Sequence, residues 1–131
     1  MNHSSHAVFS LQAHLVFVTK YRKKVITPEM LADLETIFSN ILINWKCTLV
    51  EFGGEADHVH LLVAYHPNLN LSVLVSNLKS ASSRRIRAKY ETHLRKFYWK
   101  PVFWHRAYYA GSVGHASLET VKRYVEMQGK K

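Results

Sequence analysis

The chain has 131 residues, 47% of them hydrophobic, which suits one compact domain with one core and excludes a mainly disordered chain. No apolar run nears the length of a bilayer crossing, the N-terminus lacks a signal-peptide layout, and the lone Cys47 can form neither an internal disulfide nor a thiolate zinc site; these point to a reducing cytoplasm. Eighteen Lys and Arg against nine Asp and Glu give a net charge of +9, the balance of a domain that faces nucleic acid or an anionic membrane surface.

Residues Met1 to Ala7 read as a frayed tail. From Ser10 to Thr19, Leu11, Ala13, Leu15 and Phe17 alternate with Gln12, His14, Val16 and Val18, which predicts a strand with one wetter face. Lys20-Tyr21-Arg22-Lys23-Lys24 follows, a basic loop enclosing an aromatic. It fits a phosphate backbone with Tyr21 stacked on a base, and equally a solvated turn. Thr27-Pro28-Glu29 is a helix start: a cap, a proline at the first helical position and an acid at the positive end of the helix dipole. Leu31, Leu34, Ile37, Phe38, Ile41 and Leu42 then recur at helical spacing to about Asn44. Cys47 to Phe52 reads as a second strand, and Gly53-Gly54 as the hairpin turn into a third, Glu55 to Val63.

That third strand carries His58-Val59-His60. Alternation sends both imidazoles to one face and Val59 and Leu61 to the other. Two imidazoles side by side on a sheet can share a divalent cation; the short pattern alone also describes two hydrogen-bonded histidines.

After His66-Pro67-Asn68, Asn70 caps a second helix with Leu71, Leu74, Val75 and Leu78 on its apolar face. Its far end turns basic: Lys79, Arg84, Arg85, Arg87 and Lys89 with Ser80, Ser82 and Ser83 between them, continued by Arg95, Lys96 and Lys100, against Glu91 as the one acid. The imbalance is too one-sided for mutual pairing and favours a phosphate-binding surface. Tyr98 to Tyr109 is dense in aromatics and bases, usable as core or as a stacking platform, with Phe103 to Tyr109 the predicted last strand. Gly111 to Gly114 reads as a hinge-like connection, and Ser117 as the cap of a final helix, about 117–128, packed through Leu118, Val121 and Val125.

Strand, helix, strand, strand, helix, strand, then a helix is the α+β, ferredoxin-like or RRM-like split βαβ order: an antiparallel sheet, both main helices on one face, the histidine face left open. On the final helix Tyr124 and Gln128 are four apart and share a face. A half-buried tyrosine in a terminal helix is ordinary by itself. Beside paired histidines it completes a chemical set: two imidazoles and an amide oxygen leave positions open on a divalent ion for phosphate oxygens, and a phenol can attack phosphorus. A phosphotyrosine conserves the phosphodiester's energy, so the chemistry points to breaking and rejoining strands.

His58-Val59-His60 matches the paired-histidine (HUH) motif, and Tyr124 with Gln128 matches a tyrosine-helix pattern. With His14-Leu15-Val16-Phe17, Lys20-Tyr21-Arg22, Leu78-Lys79 through Ser83-Arg84-Arg85, Phe103-Trp104 and Ser112-Val113-Gly114, the chain resembles a single-tyrosine HUH transposase of the insertion-sequence-200/605 group over nearly its whole length. The resemblance implies one HUH domain over 1–131 with the last helix as a movable catalytic element. It implies Tyr124 as nucleophile and His58, His60 and Gln128 as ligands of Mg²⁺ or Mn²⁺. The implied substrate is single-stranded DNA at hairpin-bearing ends of a mobile element, cleaved to a 5′-phosphotyrosine and a free 3′-hydroxyl, by a homodimer in which one tyrosine helix can complete the partner's site. Hairpin binding is expected at Lys20, Tyr21, Arg22 and Lys23, and at Lys79, Ser83, Arg84, Arg85 and Arg87. Two other readings stand beside it: a domesticated relative that nicks and joins chromosomal repeat hairpins, and an RRM-like hairpin-binding module without chemistry. The acids form no catalytic trio for a two-metal integrase, and too few thiolates exist for a structural zinc.

Overall fold

The computed structural model describes residues 11–112 and 118–129. Strand β1, Gln12–Thr19, runs into a single 3-10 turn, Lys20–Arg22, and then into helix α1, Pro28–Asn44. Strands β2, Thr48–Glu55, and β3, His58–Ala64, form a hairpin; helix α2 spans Leu71–Lys89 and a one-turn helix α3 spans Glu91–Leu94. Strand β4, Trp104–Ser112, and helix α4, Leu118–Gly129, complete the described elements. The sheet order is β2-β3-β1-β4 with every pair antiparallel, the split βαβ arrangement expected. Among the described residues no helix is long and apolar enough to cross a membrane.

The helix starts behave as their residue types require. Thr27 accepts a hydrogen bond from the Met30 amide at 3.1 Å and Asn70 from the Val73 amide at 3.2 Å, each satisfying one amide left unpaired in a first turn. Helix α1 stops because Lys46 turns left-handed (φ 60°), letting the Cys47 amide reach back to the Leu42 carbonyl at 2.8 Å.

Leu15 and Phe17 of β1 and Val59, Leu61 and Val63 of β3 face α1 and α2 and form the main core with Leu34, Phe38, Leu74, Leu78 and Ile86. Phe17 sits edge-on to Phe38 and Trp104 at 5.8 and 5.7 Å. The opposite face of β1 is drier than its sequence suggested. Val16 and Val18 are fully buried, because α4 lies across them and packs Val125 there, with Tyr109 and Tyr124 alongside. Gln12 and His14 alone keep partial exposure on that face.

Four more expectations need correction. Gly53 and Gly54 are not the hairpin turn: they lie inside β2, paired with His60 and Val59, and Ala56-Asp57 make the turn. Their lack of a side chain serves close approach, since a Cβ on Gly54 would stand 2.5 Å from the His58 carbonyl oxygen. Strand β3 consequently starts at His58, with Asp57 outside it. Gly111 belongs to β4, opposite His14, and not to a hinge; the Tyr109 hydroxyl occupies the space a Cβ there would need. Helix α3 was not foreseen, because one turn of Glu91-Thr92-His93-Leu94 is too short for a periodic signal. The Met1–Ala7 tail, the Val113–Gly114 part of the connection and the Ser117 cap lie outside the described residues.

Candidate active site

Cross-strand pairing sets the floor of the site. His58 lies opposite Val18 and Glu55, and His60 opposite Val16 and Gly53, so both imidazoles rise from the face that α4 crosses. Their ring centroids are 6.4 Å apart with planes inclined by 32°. Gly53 makes room for one of them: a Cβ there would stand 2.7 Å from His60 Nε2. Gly53→Ala is therefore expected to displace the imidazole while the fold, which has only a side-chain end to move, loses less than about 1 kcal/mol. A shifted His60 ring resonance at a near-unchanged melting temperature checks this.

His58 is held by its neighbour. Its Nδ1–H donates to Asp57 Oδ1 at 2.9 Å, and the second carboxylate oxygen of Asp57 is ion-paired with Arg22 Nε at 3.3 Å. Asp57 and His58 are 8% and 9% exposed, so this contact is largely shielded from water. A carboxylate held by a guanidinium accepts and does not donate, which fixes the His58 tautomer with the Nε2 lone pair outward. Burial first, then the neighbouring His58 and His14 rings, holds the His60 pKa below its ordinary value. His60 is thus a neutral imidazole at pH 7, the form that ligates.

A cleft of about 690 Å³ opens over these rings, walled by Arg22 and Lys24 of the basic turn, Glu51 and Glu55 of β2, His14, and Lys122, Val125 and Glu126 of α4. Arg22 also donates to the Val125 carbonyl at 3.3 Å, tying α4 to the turn.

Tyr124 and Gln128 share the sheet-facing side of α4 but do not line this cleft. The Tyr124 ring packs on Tyr109 of β4 at 5.9 Å, and burial pushes its pKa up to about 12. The Tyr124 hydroxyl and Gln128 Oε1 are buried and make no hydrogen bond among the described residues. The structure thus brings His58 and His60 together, sets Tyr124 against Tyr109 and the Val16, Val18 and Val125 cluster, and buries Gln128 on the same helix. Among the described residues no group of three or more His, Cys, Asp and Glu side chains gathers into a metal cluster.

The basic residues fall into two kinds. Tyr21, Lys23, Arg84 and Arg85 are exposed, while Lys20, Arg22, Ser83 and Arg87 are partly covered. Arg87 Nε donates to Ser83 Oγ at 3.1 Å. Lys79 faces inward: Nζ donates to the carbonyls of His105 and Arg106 at 2.7 and 2.8 Å, lies over the Phe17 and Tyr108 rings, and burial lowers its pKa to about 8. It pins the start of β4 to α2. Sequence reasoning missed Asp57 and Gly53 as site residues. The signal for the first was the acid directly before His58; nothing local marks the second.

A family model described as "Transposase IS200 like" matches residues 7–128. The chain is 29% identical to the ISDra2 transposase TnpA of Deinococcus radiodurans over 121 residues, 92% of this chain and 86% of that one. It is 28% identical to the transposase for insertion sequence element IS200 of Salmonella typhimurium over 125 residues, 95% and 80% of the two chains. Among solved structures, a Deinococcus radiodurans R1 protein described as a transposase superposes with a TM-score of 0.85 at 30% identity over 98% of both chains. A REP-associated tyrosine transposase bound to a REP hairpin shares the fold at a TM-score of 0.60 and 6% identity, over 96% of this chain and 68% of that one.

Proposed function

This chain belongs to the IS200-like transposase family, and on that premise we propose that it cleaves and rejoins single-stranded DNA through Tyr124. The observation that carries the reading is the placement of a tyrosine helix on the same sheet face as two adjacent, oriented histidines. The Tyr124 phenol gives up its proton as its oxygen attacks the phosphorus, the bond from phosphorus to the 3′ oxygen breaks, and the strand end leaves as a 3′-hydroxyl after taking a proton, so that no net proton is released. The 5′-phosphate stays on Tyr124 until a 3′-hydroxyl reverses the attack. Arg22 and Lys24, at the cleft wall, hold phosphates beside the reacting one.

The donor set fits a divalent ion. His58 presents a fixed Nε2 lone pair, His60 is neutral, and Gln128 Oε1 is a buried acceptor without a partner among the described residues. These three residues would hold Mg²⁺ or Mn²⁺, which supplies charge withdrawal from the scissile phosphate. For Gln128 and Tyr124 to join the histidines, α4 has to leave its docked pose, in its own chain or onto the site of a second copy. The two polar atoms, without a partner among the described residues, are compatible with that departure. One tyrosine per helix also favours a homodimer, because two element ends need two covalent links.

Incubation of the protein in Mg²⁺ with labelled single strands from its own genomic flanks tests the proposal: a denaturation-resistant protein–DNA band is expected, and its absence with every flank would overturn the reading. Asp57→Asn tests the orientation of the ligand. The amide presents an NH₂ to His58 Nδ1 and favours the tautomer whose Nε2 carries the proton. Mn²⁺ affinity, measured by calorimetry, is expected to fall about 10- to 100-fold, with cleavage recovering at excess metal.

A further inference from the structure

The basic turn has two sides. Arg22 and Lys24 line the histidine cleft, while Tyr21 and Lys23 line a separate hollow of about 390 Å³ whose far wall is the 97–102 segment. Trp99 stands on that segment with 100% of its surface exposed, where Tyr98 and Phe103 on either side are buried. Beyond Trp99 the same segment walls another hollow, closed on the opposite side by Arg84, Arg87 and Arg95. The one acid there, Glu91, is held by Arg95 at 3.1 Å.

The indole is mounted on a pinned support. The Tyr98 hydroxyl donates to the Lys20 carbonyl at 2.8 Å, and the Lys20 amide donates to the Phe103 carbonyl at 2.8 Å, so the turn and the 97–102 segment are joined at both flanks. Tyr21 and Arg22 both hold left-handed backbone, φ 59° and 52°. That conformation is disfavoured for residues with a side chain, and here it places consecutive side chains on different hollows, with the Tyr21 ring 50% exposed. Two exposed aromatics flanked by Lys23, Lys100 and three arginines suit a polyanion with flat apolar faces. Unpaired nucleotides have that chemistry; a duplex hides its base faces.

We propose that single-stranded DNA leaving the cleavage cleft crosses the 20–24 turn and stacks an unpaired base on Trp99, with phosphates toward Arg84, Arg87 and Lys100. The inference rests on the strand-cleavage reading for the direction of the strand, not for the existence of the stacking site.

The test uses the full chain with an oligothymidylate of about 15 nucleotides, which forms no hairpin, and a blunt duplex of the same length. Trp99→Ala is expected to weaken oligothymidylate binding about tenfold and to leave duplex binding unchanged; Trp99→Phe, which keeps a stacking face, retains most of the affinity. Oligothymidylate should quench the tryptophan emission of the wild type far more than that of Trp99→Phe, whose remaining indoles are the buried Trp104 and the half-buried Trp45, bonded through Nε1 to Asn77. Wild-type affinity in Trp99→Ala, or equal loss on both DNAs, would overturn the proposal. Covalent adduct formation by the wild type is read separately, so failure of the stacking site is told apart from failure of the cleavage reading.

Discussion

Tyr124→Phe is expected to abolish the covalent protein–DNA product, by on the order of 10³-fold or more, while DNA binding stays at the wild-type level. The substitution removes one oxygen, which among the described residues accepts and donates no hydrogen bond in the docked helix. Deleting a buried hydroxyl without a partner relieves a desolvation penalty and breaks no contact, so the melting temperature should hold or rise slightly. A tyrosine kept for packing would show the opposite balance, with activity following stability. The pH dependence gives a second readout. Burial raises the Tyr124 pKa from its ordinary value near 10 to about 12, so the folded chain holds this proton more tightly than the unfolded chain. The stabilising difference is complete below about pH 10 and is lost as pH climbs toward 12. Wild type should therefore lose stability relative to Tyr124→Phe across that window, in thermal melts run side by side. A non-catalytic RRM-like binding module would lose nothing with the hydroxyl. A domesticated repeat-processing relative would lose the same adduct as a transposase, and only the flanking DNA, with or without element ends, tells those two apart.

Much of the frame was legible because its signals are local. Thr27-Pro28 and Asn70 start helices where their side chains can reach an amide three residues on, and alternation alone puts His58 and His60 on one face. The misreadings share a different cause. Gly53-Gly54 carries turn chemistry, yet the glycines serve an imidazole and a backbone oxygen on the next strand. Val16 and Val18 were read with Gln12 and His14 as a wetter face because the helix that dries them is about a hundred residues away in sequence. Lys79 reads as one more charge in a basic run; the carbonyls that take its protons belong to β4. The sequence motif names His58, His60, Tyr124 and Gln128 as a set, but motif spacing carries no information on which pose α4 adopts. Burial of Val125 against Val16 and Val18, with the Arg22 tie to its carbonyl, decides that in the described chain.

The paired substitution His58→Ala with His60→Ala should eliminate cleavage in Mg²⁺, beyond the roughly 10²-fold that disturbing an outer partner such as Asp57 produces, while DNA affinity is largely kept. His58 is buried and His60 half-buried, so a thermal melt of the double variant accompanies the binding assay. Losing His58 leaves Asp57 its ion pair with Arg22, so no buried charge is stranded, and losing His60 empties space that Gly53 had kept clear. The groups proposed to hold phosphates, Arg22 and Lys24 at the cleft and Arg84 and Arg85 on α2, are untouched, which is why binding and cleavage should separate. Each single alanine is expected to act nearly as severely as the pair, because one imidazole cannot hold an ion that needs both, and effects of residues acting as a unit do not add. Additive, mild single effects would mean two independent histidines. Parallel loss of binding and cleavage in the double variant would mean that the rings support the sheet. The separation of the two activities, read on one hairpin oligonucleotide by gel shift and by adduct formation, distinguishes a metal-holding pair from both.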